Sequence, residues 1–552
     1  MFARITGRAR RSGSARVEAV TFRCQSWAVL LAIIAFCGFV AFQSSVPILG
    51  KEINADSIYL FMITRDIAFD GGNLADWMMP AHFYLYPDVP LAMAGLIMQK
   101  AGIPVFPGCV AVYGVLLATL VACVWRRTTG APIGQCILVG VTLPGILYCG
   151  DYILYLLTFR TAATPDTSKA LDHLYTFGQV LGPALHSGAF LMAFAMFIPL
   201  HSAMTRASPS DRREALMMAF MSCNIFLTTL SDLMFAAWGV VPLLVATFAL
   251  MIQGSRRKGL LLLALISASA ALGYLTSRLI GDEIRAAYFA STRHSFPMAL
   301  QGLIALMKLA GSLAQPVITL FFATNLVLWA AAARCMYLEF ISPSASFGRI
   351  VTIFAASMSA VSILAPVATG LFSGDEVRYF IPYVVLGPVF CAALMMRGLS
   401  RVLTCAAWSA GLSVGAAAIV VAGAVAWYAL PGPAAVTLYG CLQRERLVSG
   451  RADYWDAAPV VAAAGWRVRV VPLSPGGLYI FSSMTKKQWL RPESDAAQGD
   501  RTFLILDPVL SRSALDRYGP ADWTIACARR QILVYKSAPW DETGASRLDT
   551  VR

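Results

Sequence analysis

Five aspartates crowd one stretch of a mostly apolar chain: Asp56, Asp66, Asp70, Asp76 and Asp88 lie between residues 51 and 90, together with a Gly71-Gly72 break. A carboxylate can take a proton from a hydroxyl, and a guanidinium can hold an anion through two parallel hydrogen bonds. Asp56 suits the first task, because it closely follows the first apolar run and has no cation beside it in sequence. Asp66 stands next to Arg65, and Asp88 lies between Pro87 and Pro90. Further along, Asp232 follows Ser231 at a turn between two apolar runs, where a carboxylate is costly unless paired or useful. Arg378 precedes Tyr379 and Phe380 at the mouth of a later run, and His186 follows Gly182-Pro183. Each has a structural alternative. Asp56 can cap its own helix in solvent, and Asp232 can cap the helix that follows it. Arg378 can pair with Asp375 or Glu376, Arg65 with Asp66 or Asp70, and His186 can be an ordinary interfacial ring.

These side chains need elements to hold them. Read as a helix, residues 54–69 put Asp56, Tyr59 and Ile63 near one stripe and turn Arg65, Asp66 and Asp70 partly away. That pattern describes a helix lying along a membrane surface with one carboxylate aimed inward. The surroundings agree: hydrophobic residues make up 58% of the 552, charged residues 13%, and mean hydropathy is +0.65. Soluble domains carry about 25% charged residues, so this is an integral membrane protein. The net charge of +14 sits in short clusters between apolar runs, which is a topology signal and argues against nucleic acid. The twelve cysteines form no CxxC pair, and neither a glycine-rich phosphate loop nor HExxH is present. Zinc, haem, nucleotide hydrolysis and metalloproteolysis are therefore unsupported.

In order, the chain reads as a basic N-terminus (1–25), an apolar bundle (26–430) with a first outside loop at 47–104, a small α/β domain (431–538) and a polar tail (539–552). The fold class is mainly α, with about eleven spans: 26–42, 105–125, 132–148, 187–204, 215–230, 233–252, 259–280, 315–333, 350–372, 379–396 and 403–430. Residues 89–99 are too short to cross and read as an interfacial or re-entrant helix, and 298–314 read as lying along the outer surface. Each inner loop carries arginine, whereas Asp151, Asp166, Asp172, Asp232, Asp282, Glu283, Asp375 and Glu376 fall outside. An uncleaved first span with a cytoplasmic N-terminus and an odd span count place the C-terminus outside. In the α/β domain, strands are expected at 466–472, 477–482, 502–507 and 531–535, with helices at 455–464 and 511–518. Cys441 and Cys527, its only cysteines, either form a disulfide outside the cytoplasm or stay as two thiols.

The layout resembles the GT-C class of membrane glycosyltransferases, which take a sugar from a polyprenyl-phosphate carrier and pass it to an acceptor on the outer side. The residues carrying the resemblance are Asp56, the segment Tyr86-Pro87-Asp88-Val89-Pro90-Leu91, Ser231-Asp232 and Arg378-Tyr379-Phe380-Ile381-Pro382. It covers roughly residues 26–400 and is architectural. It implies an inverting transferase in which Asp56 is the base and Asp232 assists. Arg378, with Arg65 second, would hold the donor phosphate, and Tyr59, Tyr86, Asp88, His186 and Tyr379 would line the substrate. Residues of the kind of Tyr84, Tyr86 and Trp77 more often anchor a membrane interface than bind a sugar ring. The implied partners are a polyprenyl-phosphate sugar, an envelope glycan, lipid or protein acceptor, and membrane lipid, at the inner (plasma) membrane with the C-terminus periplasmic. Asp56 with Asp232 could hold a divalent metal or act without one. No other cofactor is called for. The alternative is a polytopic transporter or lipid-carrier flippase, which calls for charges buried mid-span, whereas the acids here gather at one face. A non-catalytic scaffold whose tail recruits envelope proteins is a third reading.

Overall fold

The computed structural model describes residues 30–38, 55–79, 83–102, 105–145, 186–205, 212–252, 256–284, 304, 316–341, 347–369, 377–399, 434–474, 480–481, 485–490, 501–528 and 530–539. The chain is mainly helical. Helix α1 (Ala55–Phe69) leads to the short strand β1 (Trp77–Met78), then α2 (Asp88–Lys100) and α3 (Val105–Thr129). After α4 (Ile133–Gly145) come α5 (Ser187–Thr205), α6 (Arg212–Ser231), a π-helical turn (Ala236–Val240) running into α7 (Val241–Met251), and α8 (Arg256–Ile284). The bundle continues with α9 (Pro316–Ile341), α10 (Phe347–Thr369) and α11 (Ile381–Leu399), the last entered through a 3-10 turn (Val377–Phe380).

Apolar runs closed by basic clusters dictate most of these helices. α3 ends just after Arg126-Arg127, and Gly130, the next residue beyond it, takes φ 71° in the left-handed region that closes helices. Among the described residues four helices are long and apolar enough to cross a membrane, with windows Glu214–Ser231, Arg256–Ile280, Thr319–Ile341 and Phe347–Ala368. Large apolar side chains such as Leu279 (77% exposed) and Phe340 (72%) stand on their outer faces, as lipid-facing residues do. The shorter apolar helices Ile133–Gly145, Ser187–Ser202, Ala236–Met251 and Ile381–Leu394 fill in between. The expected count of eleven spans does not follow from these; of the expected span at 26–42, residues 30–38 are described, as helix, and the expected span at 403–430 lies wholly outside the described residues. Two acids are buried near the basic ends of the bundle, each with a cation: Glu214 pairs with Lys258 across α6 and α8, and Glu339 with Arg349 at 3.2 Å across α9 and α10.

Helix α1 departs from the sequence expectation. It is buried on every side from Ile58 to Thr64, so it is not a surface helix with one apolar stripe. One side packs on α2, and the other is covered by helix α13 (Tyr454–Ala463) of the C-terminal domain. A helix apolar all round is stable only when both faces are occupied.

The C-terminal domain begins with α12 (Ala434–Arg444) and alternates β2 (Ser449–Asp453), α13, β3 (Arg469–Leu473), β4 (Thr485–Lys486), β5 (Thr502–Leu506), α14 (Pro508–Tyr518), β6 (Trp523–Cys527) and β7 (Arg530–Tyr535). Its sheet has the order β3-β2-β5-β7-β6, parallel across β3-β2-β5 and antiparallel across β5-β7-β6. Strand β2 was not expected, because Ser-Gly-Arg-Ala-Asp shows no apolar alternation. It is nonetheless buried at every position, and Gly450 is required there because any Cβ would run into Phe503 on β5. Cys441 on α12 and Cys527 at the end of β6 are joined as a disulfide. Strand β4 leaves this sheet and pairs antiparallel with β1, setting Trp77 opposite Lys486 and Met78 opposite Thr485. The domain is thereby tied to the loop that follows α1.

Candidate active site

Four separate pieces of chain converge just downstream of β1. The first is the segment 83–88, which crosses the end of α6: Tyr84 N–H donates to the Ser231 carbonyl at 3.1 Å and Tyr86 N–H to Ser231 Oγ at 2.7 Å. The Tyr86 phenol donates to Asn224 Oδ1 on the same helix. Burial pushes this phenol above its ordinary value, and the neighbouring Cys223 adds to the shift. The Tyr86-Pro87 bond is cis, and Asp88 then opens α2, where a carboxylate is favoured by the unpaired amides of the first turn.

The second piece is His186 at the head of α5, and the third is the turn Ser231–Met234. Asp232 accepts from Met234 N–H through Oδ1 at 2.9 Å, the structural alternative weighed for it, while Oδ2 lies 2.7 Å from His186 Nδ1. The pairing holds one edge of the imidazole, and Nε2 on the opposite edge lies 3.5 Å from the Tyr84 hydroxyl. The fourth piece is the 3-10 turn Val377–Phe380, which lays the Tyr379 ring 5.4 Å from the imidazole. Trp238 on the π-helical turn meets the same ring edge-on at 5.8 Å.

Asp88, His186 and Asp232 are each only 1% exposed. Tyr113 on α3 donates its hydroxyl to Asp88 Oδ1, and the Cα of Gly188, two residues after His186, lies against the carboxylate, leaving no room for a Cβ. Tyr84 (φ 51°) and His186 (φ 66°) both hold the left-handed region, which bulky residues adopt only where their surroundings over-determine them. A buried carboxylate, a carboxylate-imidazole pair and two phenols at the helix ends can accept, orient and pass a proton away from bulk water. Among the described residues no three His, Cys, Asp or Glu stand close enough to hold a metal ion.

Of the residues singled out from sequence, Tyr86, Asp88, His186, Asp232 and Tyr379 are brought together. Arg378 immediately precedes Tyr379 in the same turn, and Asp56 lies in the first turn of α1; both are described through their backbone alone. Arg65 is elsewhere: it bonds Asp70 at 3.1 Å, the pairing weighed for it, and lines a second cavity against the C-terminal domain. Tyr59 is wholly buried where α1 meets α13, beside Met62, Tyr454 and Trp489, so it is a core residue there. Sequence reasoning passed over Tyr113, Asn224, Trp238 and Gly188. Asn224, Thr228 and Ser231 carry a readable signal, since spacings of four and three put polar side chains on one face of an apolar helix.

The sequence matches no protein-family model and no curated protein. The structure is informative: the chain has the GT-C fold. It is similar to ArnT from Cupriavidus metallidurans bound to undecaprenyl phosphate, at 12% identity and TM-score 0.50, covering 93% of this chain and 98% of that one. The apo state of that protein gives 11% identity, TM-score 0.52 and the same coverages of 93% and 98%. The Archaeoglobus fulgidus oligosaccharyltransferase in complex with Zn and sulfate is more distant, at 15% identity and TM-score 0.41 over 87% of this chain and 68% of that one.

Proposed function

We propose that this protein is a membrane glycosyltransferase that moves a sugar from a polyprenyl-phosphate carrier to an envelope acceptor on the extracytoplasmic side. The observation that carries the reading is the gathering of buried Asp88 and the His186–Asp232 pair at the ends of bundle helices, on a fold whose neighbour ArnT was solved with undecaprenyl phosphate. Asp56 takes the proton of the acceptor hydroxyl. The freed oxygen attacks the anomeric carbon, the bond from that carbon to the phosphate oxygen breaks, and the polyprenyl phosphate departs with inversion at carbon. Arg378 holds the departing phosphate, with a guanidinium fork matched to its oxygens. Asp232 orients His186, and Asp88, Tyr86 and Tyr379 line the place where the sugar sits.

The same proposal sets the chain in the inner membrane with its N-terminus cytoplasmic and its C-terminal domain outside. Arginine clusters between the apolar runs support this orientation, and the β1–β4 pairing supports a first loop and C-terminal domain sharing one side.

The test supplies membranes with labelled polyprenyl-phosphate sugars and follows transfer by wild type beside Asp56→Asn. Loss of a positioned base is expected to slow transfer by about 100- to 10,000-fold. Arg378→Lys keeps the charge and loses the fork, so more donor is required for the same rate. Normal transfer by a well-expressed Asp56→Asn protein would refute the assignment of the base. A wild type that transfers from no lipid-linked donor would overturn the function itself.

A further inference from the structure

A second cavity, of about 250 Å³, lies between the C-terminal end of α1 and the C-terminal domain, away from the His186 cluster. Its charged lining consists of Arg65, Arg467 and Arg469 against Asp66 and Asp70, and its aromatic lining of Trp77, Trp466 and Trp489. The indoles are fixed from several directions. Trp77 Nε1–H donates to Asp66 Oδ2 at 2.9 Å, Trp466 Nε1–H to Gln99 Oε1 at 3.1 Å, and Trp77 meets Trp489 edge-on at 5.9 Å. Asp66 is further held by Lys486 at 2.8 Å, and Arg469 donates to the Trp489 carbonyl at 2.9 Å. The Arg65 guanidinium lies 5.7 Å from the centre of the Trp466 ring.

Two features do not follow from packing alone. Trp466 holds φ 69° directly after Gly465 at φ 58°, a left-handed conformation that glycine adopts freely and a bulky aromatic residue does not. Such strain collects at ligand sites. Beside it, Arg467 is exposed and has no acidic partner among the described residues.

We propose that this cavity binds one acidic sugar unit, a uronic acid, of a glycan or glycolipid. Trp466 and Trp489 are partly exposed and offer flat apolar faces on which a pyranose ring can stack, with buried Trp77 backing them, and carboxylates accept from sugar hydroxyls. Asp70 is paired with Arg65 and Asp66 with Lys486, so Arg467 is the exposed guanidinium of the lining left for a ligand, and one guanidinium fork matches one carboxylate. The volume is below the roughly 300–1,000 Å³ of pockets that enclose drug-sized ligands, so the cavity takes one unit of a longer molecule.

The test is direct binding to the purified full chain by calorimetry, using a tetraglucuronate, a neutral cellotetraose and a glucuronosyl diacylglycerol carried in nanodiscs. The uronate is expected to bind at least tenfold more tightly than the neutral sugar, and Arg467→Ala to weaken it about tenfold without changing thermal stability. Tight binding of the soluble tetraglucuronate assigns the site to free glycan as well as lipid headgroups, and binding of the nanodisc lipid alone assigns it to headgroups. Binding of neither, or unchanged affinity in Arg467→Ala, overturns the proposal. Full competition by an equal concentration of inorganic phosphate overturns the choice of a carboxylate. The Asp56→Asn protein is expected to bind the uronate as wild type does, so this outcome stands apart from any assay of transfer.

Discussion

Replacing Asp232 by Asn tests whether the buried pair with His186 works as a unit. The two side chains are each 1% exposed and 2.7 Å apart, so their bond is neither screened by salt nor shared with bulk water. Asn keeps the oxygen that caps Met234 N–H, at 2.9 Å in the wild type, but replaces the ionisable oxygen facing Nδ1 with an amide. A hydrogen bond to a charged group contributes about 1.5–3 kcal/mol, so Asp232→Asn should destabilise by that amount. Asp232→Ala loses the cap as well and should cost about 1 kcal/mol more. Reversible unfolding of purified protein in mixed micelles measures both. A double-mutant cycle with His186→Phe isolates the pair, and its coupling energy should be about 1.5–3 kcal/mol. A coupling below about 0.5 kcal/mol would show that the imidazole and the carboxylate are independent neighbours, and the role given to Asp232 would fall with it.

Gly188→Ala places a methyl group against the Asp88 carboxylate inside contact distance, so it should destabilise by about 1–3 kcal/mol and slow transfer, whereas Gly440→Ala, with open space around it, should do neither. Equal effects of the two substitutions would remove the argument that Asp88 is held against α5. The C-terminal domain should carry the Cys441–Cys527 disulfide in cells, closing a sequence separation of 86 residues, and its loss should destabilise the domain by about 2–5 kcal/mol. Both thiols reacting with an alkylating reagent before reduction, or a reporter fused after Leu430 reading cytoplasmic, would contradict the outside placement.

The parts of this protein that could be read without its structure are those fixed by sums over neighbouring residues. Hydropathy over about 20 positions, with arginines at the run ends, marks α3, α6, α8, α9 and α10, and capping chemistry marks Ser231-Asp232. The strands at 502–507 and 531–535 are equally local, being apolar and β-branched, and they fall within a residue or so of β5 and β7. Strand β2 is different. Its residues have no pattern of their own, and it is a strand because β3 and β5 flank it. The site divides the same way. Asp232 is legible as a cap, but its partner His186 is 46 residues upstream, and Asp88 meets Tyr113 from 25 residues downstream. Arg65 shows the converse: pairing with Asp70, just past the end of its own helix, is a local matter, but only the docking of the C-terminal domain sets it beside Arg467, Arg469, Trp466 and Trp489. Local propensity and hydropathy are carried by each segment before folding. Which buried charge faces which is decided when the helices pack, because a desolvated group must find its partner among whatever segments the fold brings to it.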